Sequence, residues 1–273
     1  MPELPEVEVI RRDLEPLVGG KTFTRPLIHI PTTIAYPEPA LFAASLSGRR
    51  IRSICRRGKY LLVNLDHGTL AIHLRMTGNL VYRPEGQPGE DRFLRLVLPF
   101  TDGSALYYSD MRRFGRLWLV ENEEELNKFV LRRVGPDIYN DLKKEDFICM
   151  LGQRSRACIK GLLLDQGFAA GMGNIYTDEA LFLSGIDPRR RAGEITKAEA
   201  EKLYDSIIKV LRMGIKFGGT TFRDYRNARG ARGDFQAKLK VYGRRGEHCR
   251  CGAVIEKTTV AGRTTCYCPC CQK

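Results

Sequence analysis

No run of eighteen apolar residues occurs in the 273-residue chain, so nothing in it reads as a membrane-spanning helix. The opening Met1-Pro2-Glu3-Leu4-Pro5-Glu6-Val7-Glu8 mixes acids and prolines where a secretory leader needs a basic segment and then an apolar one, and the expected location is the cytoplasm. Internal repeats and low-complexity tracts are missing as well. Cysteine is sparse over most of the length: Cys55, Cys149 and Cys158 are scattered, whereas six of the nine lie between Cys249 and Cys271. That spread excludes a secreted disulfide scaffold and marks the tail as a metal site. Acids are short against bases, 32 Asp and Glu to 45 Lys and Arg, and the resulting charge of +13 favours a polyanionic partner. Charge alone does not choose among DNA, RNA, ribosome and acidic lipid.

An apolar content of 43% is that of an ordinary globular protein, and the length allows two domains with cores of their own. Leu4, Val7, Ile10, Leu14 and Leu17 fall on one stripe at helical spacing, which predicts an amphipathic helix over residues 3–18. Pro5 suits its first turn and Gly19-Gly20 supply the stop. Short β-rich runs follow at 51–55, 60–65, 70–74, 94–98, 106–108 and 117–120, with turn signals at Asp66-His67-Gly68 and Thr101-Asp102-Gly103, as a β-sandwich requires. Helical periods then appear at 157–164, 175–182 and 197–215. A Gly- and Arg-rich loop at 217–234 and a short strand at 239–242 precede the cysteine-rich tail. The expected fold is α+β in three parts: helix plus sandwich over 1–125, a helical domain with its loop over 126–235, and a zinc ribbon over 236–273.

Three segments carry chemistry. Pro2 stands next to Glu3 and Glu6, and a Met before so small a residue is of the kind normally trimmed, which would free the proline nitrogen. An α-amine titrates near about 7.7–8.0 against about 10.4 for lysine, so far more of it is nucleophilic at neutral pH. The plain alternative is a helix start with acids near its positive end. In the tail, His248-Cys249-Arg250-Cys251 and Cys268-Pro269-Cys270-Cys271 lie sixteen residues apart. Two ligand pairs separated by a hairpin make a ribbon for one structural Zn2+, since a short tail has little core of its own. Gly171-Met172-Gly173-Asn174 forms a turn whose Asn174 suits the cap of the next helix, a place where backbone N–H groups favour phosphate.

The strings MPELPEVE, RRGKY, HLRMTG, MRRFG, GMGNIYTDE and VAGRTTCYCPCCQ, in that order from residue 1 to residue 272, resemble the bacterial formamidopyrimidine-DNA glycosylases. The resemblance implies a bifunctional glycosylase and abasic-site lyase that acts on oxidised purines in duplex DNA, as a monomer associated with the nucleoid. Pro2 would attack the sugar C1′, Glu3 would be the acid/base group near the ribose ring oxygen, and Glu6 would support that site. Lys59 would assist elimination and Arg263, at the ribbon's hairpin tip, would grip phosphate beside the lesion. Met76, Arg112 and Phe114 would fill the hole left by the flipped base and hold its widowed partner. Without the resemblance, isolated large apolar residues after strands usually point inwards. His73, Arg113, Lys160 and Asn174 would contact DNA, and Thr220, Thr221, Arg223, Asp224 and Tyr225 would belong to a loop that closes over the base.

Cys251, Cys268 and Cys271 keep the family's zinc spacing, but the first pair is one residue short. Either His248 replaces the first cysteine or Cys249 binds through a C-x-C pair. Rival functions are an endonuclease VIII-like glycosylase for oxidised pyrimidines, a zinc-ribbon protein that binds damaged DNA without cutting it, and a basic RNA- or ribosome-binding protein.

Overall fold

The computed structural model describes residues 1–87 and 91–273, which divide into two compact units: Met1–Arg132 with Phe217–Gln236, and Arg133–Lys216 with Ala237–Lys273. The first unit opens with α1 (Leu4–Val18), followed by β1 (Leu27–Ile28), β2 (Ile34–Tyr36) and α2 (Pro39–Leu46). Strands β3 (Ile51–Arg57), β4 (Tyr60–Leu65), β5 (Thr69–His73), β6 (Gly78–Arg83), β7 (Leu94–Pro99), β8 (Ala105–Asp110) and β9 (Arg116–Val120) complete two sheets. Their orders are β1-β7-β8-β6 and β2-β9-β5-β4-β3. A short helical turn α3 (Glu123–Glu125) runs on into a π-helical turn over Leu126–Leu131.

The expected sandwich is present because both sheets and α1 bury one face in the same cluster. Ile54, Val63, Ile72 and Leu117 come from one sheet, Leu80, Leu96 and Leu106 from the other, and Val7, Ile10 and Leu14 from α1. Each such side chain contributes about 2 kcal/mol of transfer free energy, so α1 is held by its apolar stripe and its N-terminus is fixed along with it. α2 and β6 were not anticipated from sequence. α2 carried its signal, Pro39 in the first turn and a Glu38 carboxylate that accepts the Leu41 N–H at 2.9 Å.

The second unit contains α4 (Lys144–Gln153), α5 (Ile159–Leu164), α6 (Asn174–Ser184) and α7 (Lys197–Lys216), and ends in the hairpin β10 (Glu256–Val260) and β11 (Arg263–Tyr267). α6 stops at Gly185, whose φ of 81° lets its N–H reach the Leu181 and Phe182 carbonyls.

Three sequence expectations are corrected. The loop after α7 belongs to the sandwich unit, since the Thr220 N–H binds Glu6 at 2.8 Å, the Arg226 N–H binds the Asn79 side chain at 2.9 Å and the Tyr82 N–H binds the Ala228 carbonyl at 2.8 Å. The ribbon is not a separate body but packs on α6, with Phe182 in one cluster with Val241, Ile255 and Cys266. Residues 239–242 form no strand. The N–H groups of Lys240, Val241 and Tyr242 instead converge on the buried Glu179 carboxylate at 2.8–3.0 Å, which is incompatible with a ladder.

Candidate functional site

At the head of α1, Pro2, Glu3 and Glu6 are all buried, the two acids at 2% and 1% exposure. A helix that merely starts with acids leaves them in water, whereas these are enclosed. Glu6 is the reason the arrangement holds. Its Oε2 accepts the Glu3 N–H at 2.8 Å, closing a capping box, and its Oε1 accepts the Thr220 N–H at 2.8 Å. One carboxylate therefore fixes both the helix start and the base of the loop. The Tyr225 hydroxyl donates to the Glu6 carbonyl at 3.3 Å, and a Cβ on Gly219 would come within 3.0 Å of both Glu6 and the Tyr225 ring, so only glycine fits there. Thr220, Thr221 and Tyr225 are buried at the root of the loop, while Phe222, Arg223 and Asp224 at its tip are exposed.

Lys59, at 7% exposure, sits in the two-residue turn between β3 and β4 rather than in a strand. Gly58 ahead of it supplies the positive φ, 56°, that such a turn needs at its first central position. Arg56 is buried behind this turn, with Nε 3.2 Å from Glu8 of α1 and Nη1 donating to the Gly58 carbonyl at 3.0 Å. An ion pair thus ties the hairpin that carries Lys59 to the helix that carries Pro2. Burial works to raise the Glu8 pKa, but Arg11, Arg12 and Arg56 outweigh it and hold the carboxyl below its usual value. Glu8 and Arg56 both lie inside strings singled out from sequence, yet nothing there marked them as a pair.

Tyr60 follows the turn and packs edge-on against His73, ring centroids 4.5 Å apart. His73 Nδ1 accepts the Arg75 N–H at 3.0 Å. Burial, with Arg75 and Lys59 close by, pushes its pKa down to about 3. The imidazole is therefore neutral, and with Nδ1 occupied as an acceptor the proton resides on Nε2, which can donate to an anion.

Met76, Arg112 and Phe114 are exposed, with Arg112 against each of the other two, contrary to the usual inward reading of such apolar residues. Met76 is 40% and Phe114 48% accessible, the Arg112 Nη1 lies 3.0 Å from the Met76 sulfur, and its guanidinium sits 4.8 Å from the Phe114 ring centroid. Arg113 is exposed beside them. Among the described residues only Arg75, Arg113 and Ala261 are non-glycines at positive φ (54°, 59° and 50°). They adjoin Met76, Phe114 and the Gly262-Arg263 tip respectively, so backbone strain collects where DNA-contacting side chains are expected.

In the second unit Arg263 is exposed and opens β11, directly after the turn Ala261-Gly262. One expectation fails here. Asn174 is the first residue of α6 rather than its cap, a place taken by Gly173, because its side-chain amide is drawn to the Thr264 carbonyl at 2.8 Å. Lys160, expected to contact DNA, is fully buried: its Nζ is held by Asp178 at 2.5 Å, by the Thr265 hydroxyl at 2.7 Å and by the Thr264 carbonyl at 3.2 Å. Asp178 also accepts the Cys266 N–H at 3.0 Å. Lys160 therefore fastens β11 to α5 and α6. Asp178 and Glu179, assigned no role from sequence, are the two anchors of the ribbon.

The thiols of Cys249, Cys251, Cys268 and Cys271 lie within 4.8 Å of one another. Zn–S bonds of about 2.3 Å in a tetrahedron place sulfurs about 3.8 Å apart. The pairs Cys249–Cys271 and Cys251–Cys268 stand at 3.8 and 3.5 Å, so the donor set fits one zinc ion. His248 is exposed and turned away, its Nδ1 3.0 Å from the Gly252 carbonyl. The C-x-C alternative is therefore the one the geometry supports.

Three family models match the chain: a formamidopyrimidine-DNA glycosylase N-terminal domain over residues 1–117, the H2TH domain of the same enzymes over 134–226, and a zinc finger found in FPG and IleRS over 250–273. The chain is 46% identical over 277 residues to a formamidopyrimidine-DNA glycosylase of Desulfitobacterium hafniense, with 100% of each covered. It is 42% identical over 274 residues to one of Bacillus cereus, covering 100% of this chain and 99% of that one. A Lactococcus lactis FPG variant in complex with Fapy-dG-containing DNA superposes with a TM-score of 0.90 at 38% identity, and a complex of that organism's Fpg with abasic-site DNA with 0.90 at 36%, each covering both chains fully. With sequence and fold matched from end to end, the chain belongs to the formamidopyrimidine-DNA glycosylase family.

Proposed function

We propose that this protein is a base-excision repair enzyme that removes oxidised purines, 8-oxoguanine and formamidopyrimidines, from duplex DNA and then cuts the strand at the abasic sugar. The observation that carries the reading is the burial of Pro2, Glu3 and Glu6 together at the head of α1. Removal of Met1 leaves a secondary amine there. Its lone pair attacks C1′ as the base departs, and Glu3 delivers a proton to the ribose ring oxygen so that the sugar opens to an iminium. That cation accepts the electrons released when a C2′ proton is lost, which then expel the 3′ phosphate, and loss of a C4′ proton into the conjugated iminium so formed expels the 5′ phosphate in turn. Lys59 and Arg263 would hold and assist the departing phosphates. Asn174 would bind the phosphate beside the lesion, and the neutral His73 would donate to another.

Met76, Arg112 and Phe114 would occupy the space left by the flipped nucleotide, with Arg112 bonded to the widowed cytosine. The loop from Thr220 to Tyr225 would close on the base through backbone amides around Arg223. Cys249, Cys251, Cys268 and Cys271 would hold the zinc, which supplies the ribbon's rigidity and takes no part in bond cleavage. The place of work is the cytoplasm, on the nucleoid.

Borohydride trapping on an 8-oxoguanine duplex tests the reading. The native chain is expected to give a covalent adduct, whereas Pro2→Gly and a chain extended ahead of Pro2 are not expected to cleave normally. Intact-mass spectrometry establishes the state of the terminus. Normal excision by material whose terminal nitrogen is acetylated overturns the proposal. Comparable single-turnover rates on oxidised-pyrimidine duplexes would shift the substrate to the endonuclease VIII-like class.

A further inference from the structure

β6 and β8 pair side by side and each adjoins one of the turns that present the exposed side chains. Gly78, where β6 begins, stands opposite Asp110, where β8 ends. The turn before β6 carries Arg75 and Met76, and the turn after β8 carries Arg112, Arg113 and Phe114. A single carboxylate reaches both turns.

Asp110 is 1% exposed. Its Oδ1 accepts the Thr77 hydroxyl at 2.5 Å and the Arg112 N–H at 3.2 Å, and its Oδ2 accepts the Gly115 N–H at 2.8 Å and the Tyr108 hydroxyl at 3.3 Å. The Thr77 oxygen also accepts the Arg112 N–H at 3.0 Å. Thr77 thus joins the two turns from one side while Asp110 spans the whole of the second. A Cβ on Gly115 would lie 1.7 Å from the Tyr108 hydroxyl, so the chain passes there at backbone distance. Both turns also hold a non-glycine residue in the left-handed region, Arg75 and Arg113. Such conformers persist only where the surroundings over-determine them, and the clasp of Asp110 and Thr77 is the fixed structure against which these two are set.

We infer that Asp110, acting through Thr77, is a positioning residue for specificity: it locks the Met76 turn and the Arg112–Phe114 turn in one register, so that the guanidinium of Arg112 meets the base opposite the lesion at a fixed distance. The inference rests on the reading of these three side chains given above. Asp110 has no role in the chemistry at the sugar, because its acceptors are directed at protein donors.

The test uses two substrates that separate positioning from chemistry. One is a duplex with 8-oxoguanine opposite cytosine or adenine, where the turns must fill a void and read a partner. The other is single-stranded DNA with a preformed abasic site, where no partner base exists. In Asp110→Asn and Thr77→Val the ratio of single-turnover excision rates, cytosine over adenine, is expected to fall about tenfold, equivalent to about 1.4 kcal/mol, while cleavage of the abasic single strand stays at the native rate. Thr77→Ser, which keeps the hydroxyl, is expected to restore the native ratio. An unchanged ratio in Thr77→Val overturns the inference, as does a parallel loss on both substrates, which would make the clasp a general stabiliser. Native enzyme that cuts neither substrate sinks the underlying function instead, and the inference with it.

Discussion

His73 gives a prediction whose size follows from its surroundings. In the folded chain burial, Arg75 and Lys59 push its pKa from 6.5 down to about 3. The unfolded chain therefore binds a proton that the folded chain refuses over the whole interval between those values, and stability falls as pH drops through it. The contribution is fully present above the unfolded pKa. At about pH 5 the deficit is about 2 kcal/mol, and it approaches a ceiling of about 5 kcal/mol near pH ~3. His73→Gln keeps an acceptor for the Arg75 N–H but has no proton to take up. Urea denaturation of both proteins between about pH 7.5 and about pH 5 isolates the effect as a difference of slopes, with other titrating groups common to both. The native protein is expected to lose about 2 kcal/mol more than the variant across that range. Parallel curves would mean that the imidazole already protonates in the folded state, and the neutral Nε2 donor assigned to it would be wrong.

Three further outcomes follow from the packing. Cys249→Ala is expected to abolish stoichiometric zinc in metal analysis of the purified protein and His248→Ala to leave it intact; the reverse pattern would return the fourth ligand to histidine. Lys160→Met strands the Asp178 carboxylate inside the fold and should cost about 3–5 kcal/mol in chemical denaturation, whereas pairing it with Asp178→Leu recovers most of that loss; a mild effect of the single change would show that water reaches the site. Gly115→Ala drives a methyl into the Tyr108 hydroxyl and should destabilise by about 1–3 kcal/mol, relieved in the double variant with Tyr108→Phe; additive losses in that cycle would show that the clash lies elsewhere.

Local physics made much of the fold readable. The stripe on α1, the β-rich runs of β3, β4 and β5 and the long period of α7 are one-dimensional signals, and each element appears within a few residues of its expected bounds. β6 escaped because Gly78 and Asn79 read as turn residues, and its alternation is confined to Leu80 and Tyr82. The 239–242 segment misled because Leu-Lys-Val-Tyr has strand composition, while its N–H groups are claimed by Glu179, sixty or so residues earlier, which no local pattern encodes. Lys160 is the same lesson in a site residue. Its expected DNA contact came from the resemblance alone, and only the fold reveals Asp178 and Thr265 around it. For zinc, spacing left two candidates and the positions of four sulfur atoms chose between them.

The buried acids share a physical cause. A chain of charge +13, with duplex DNA as its proposed partner, gains nothing from carboxylates on the surface that faces it, since each would repel phosphate. Here Glu3, Glu6, Glu8, Asp110, Asp178 and Glu179 are all buried. A buried carboxylate is tolerable only when donors surround it, and most of these find them in backbone N–H groups: Thr220 for Glu6, Gly115 for Asp110, Cys266 for Asp178, and Lys240 to Tyr242 for Glu179. These four acids, unlike Glu3 and Glu8, therefore organise the roots of loops and hairpins. Neutralising one by Glu→Gln or Asp→Asn leaves the surface charge unchanged while freeing a tip to move. Affinity for undamaged duplex, which is set by phosphate contacts, should then change little while the rate on the lesion falls. If Glu179→Gln instead weakened undamaged duplex binding and lesion processing by the same factor, these acids would be ordinary stabilisers of the fold, and the division between surface charge that binds and interior charge that aims would not hold.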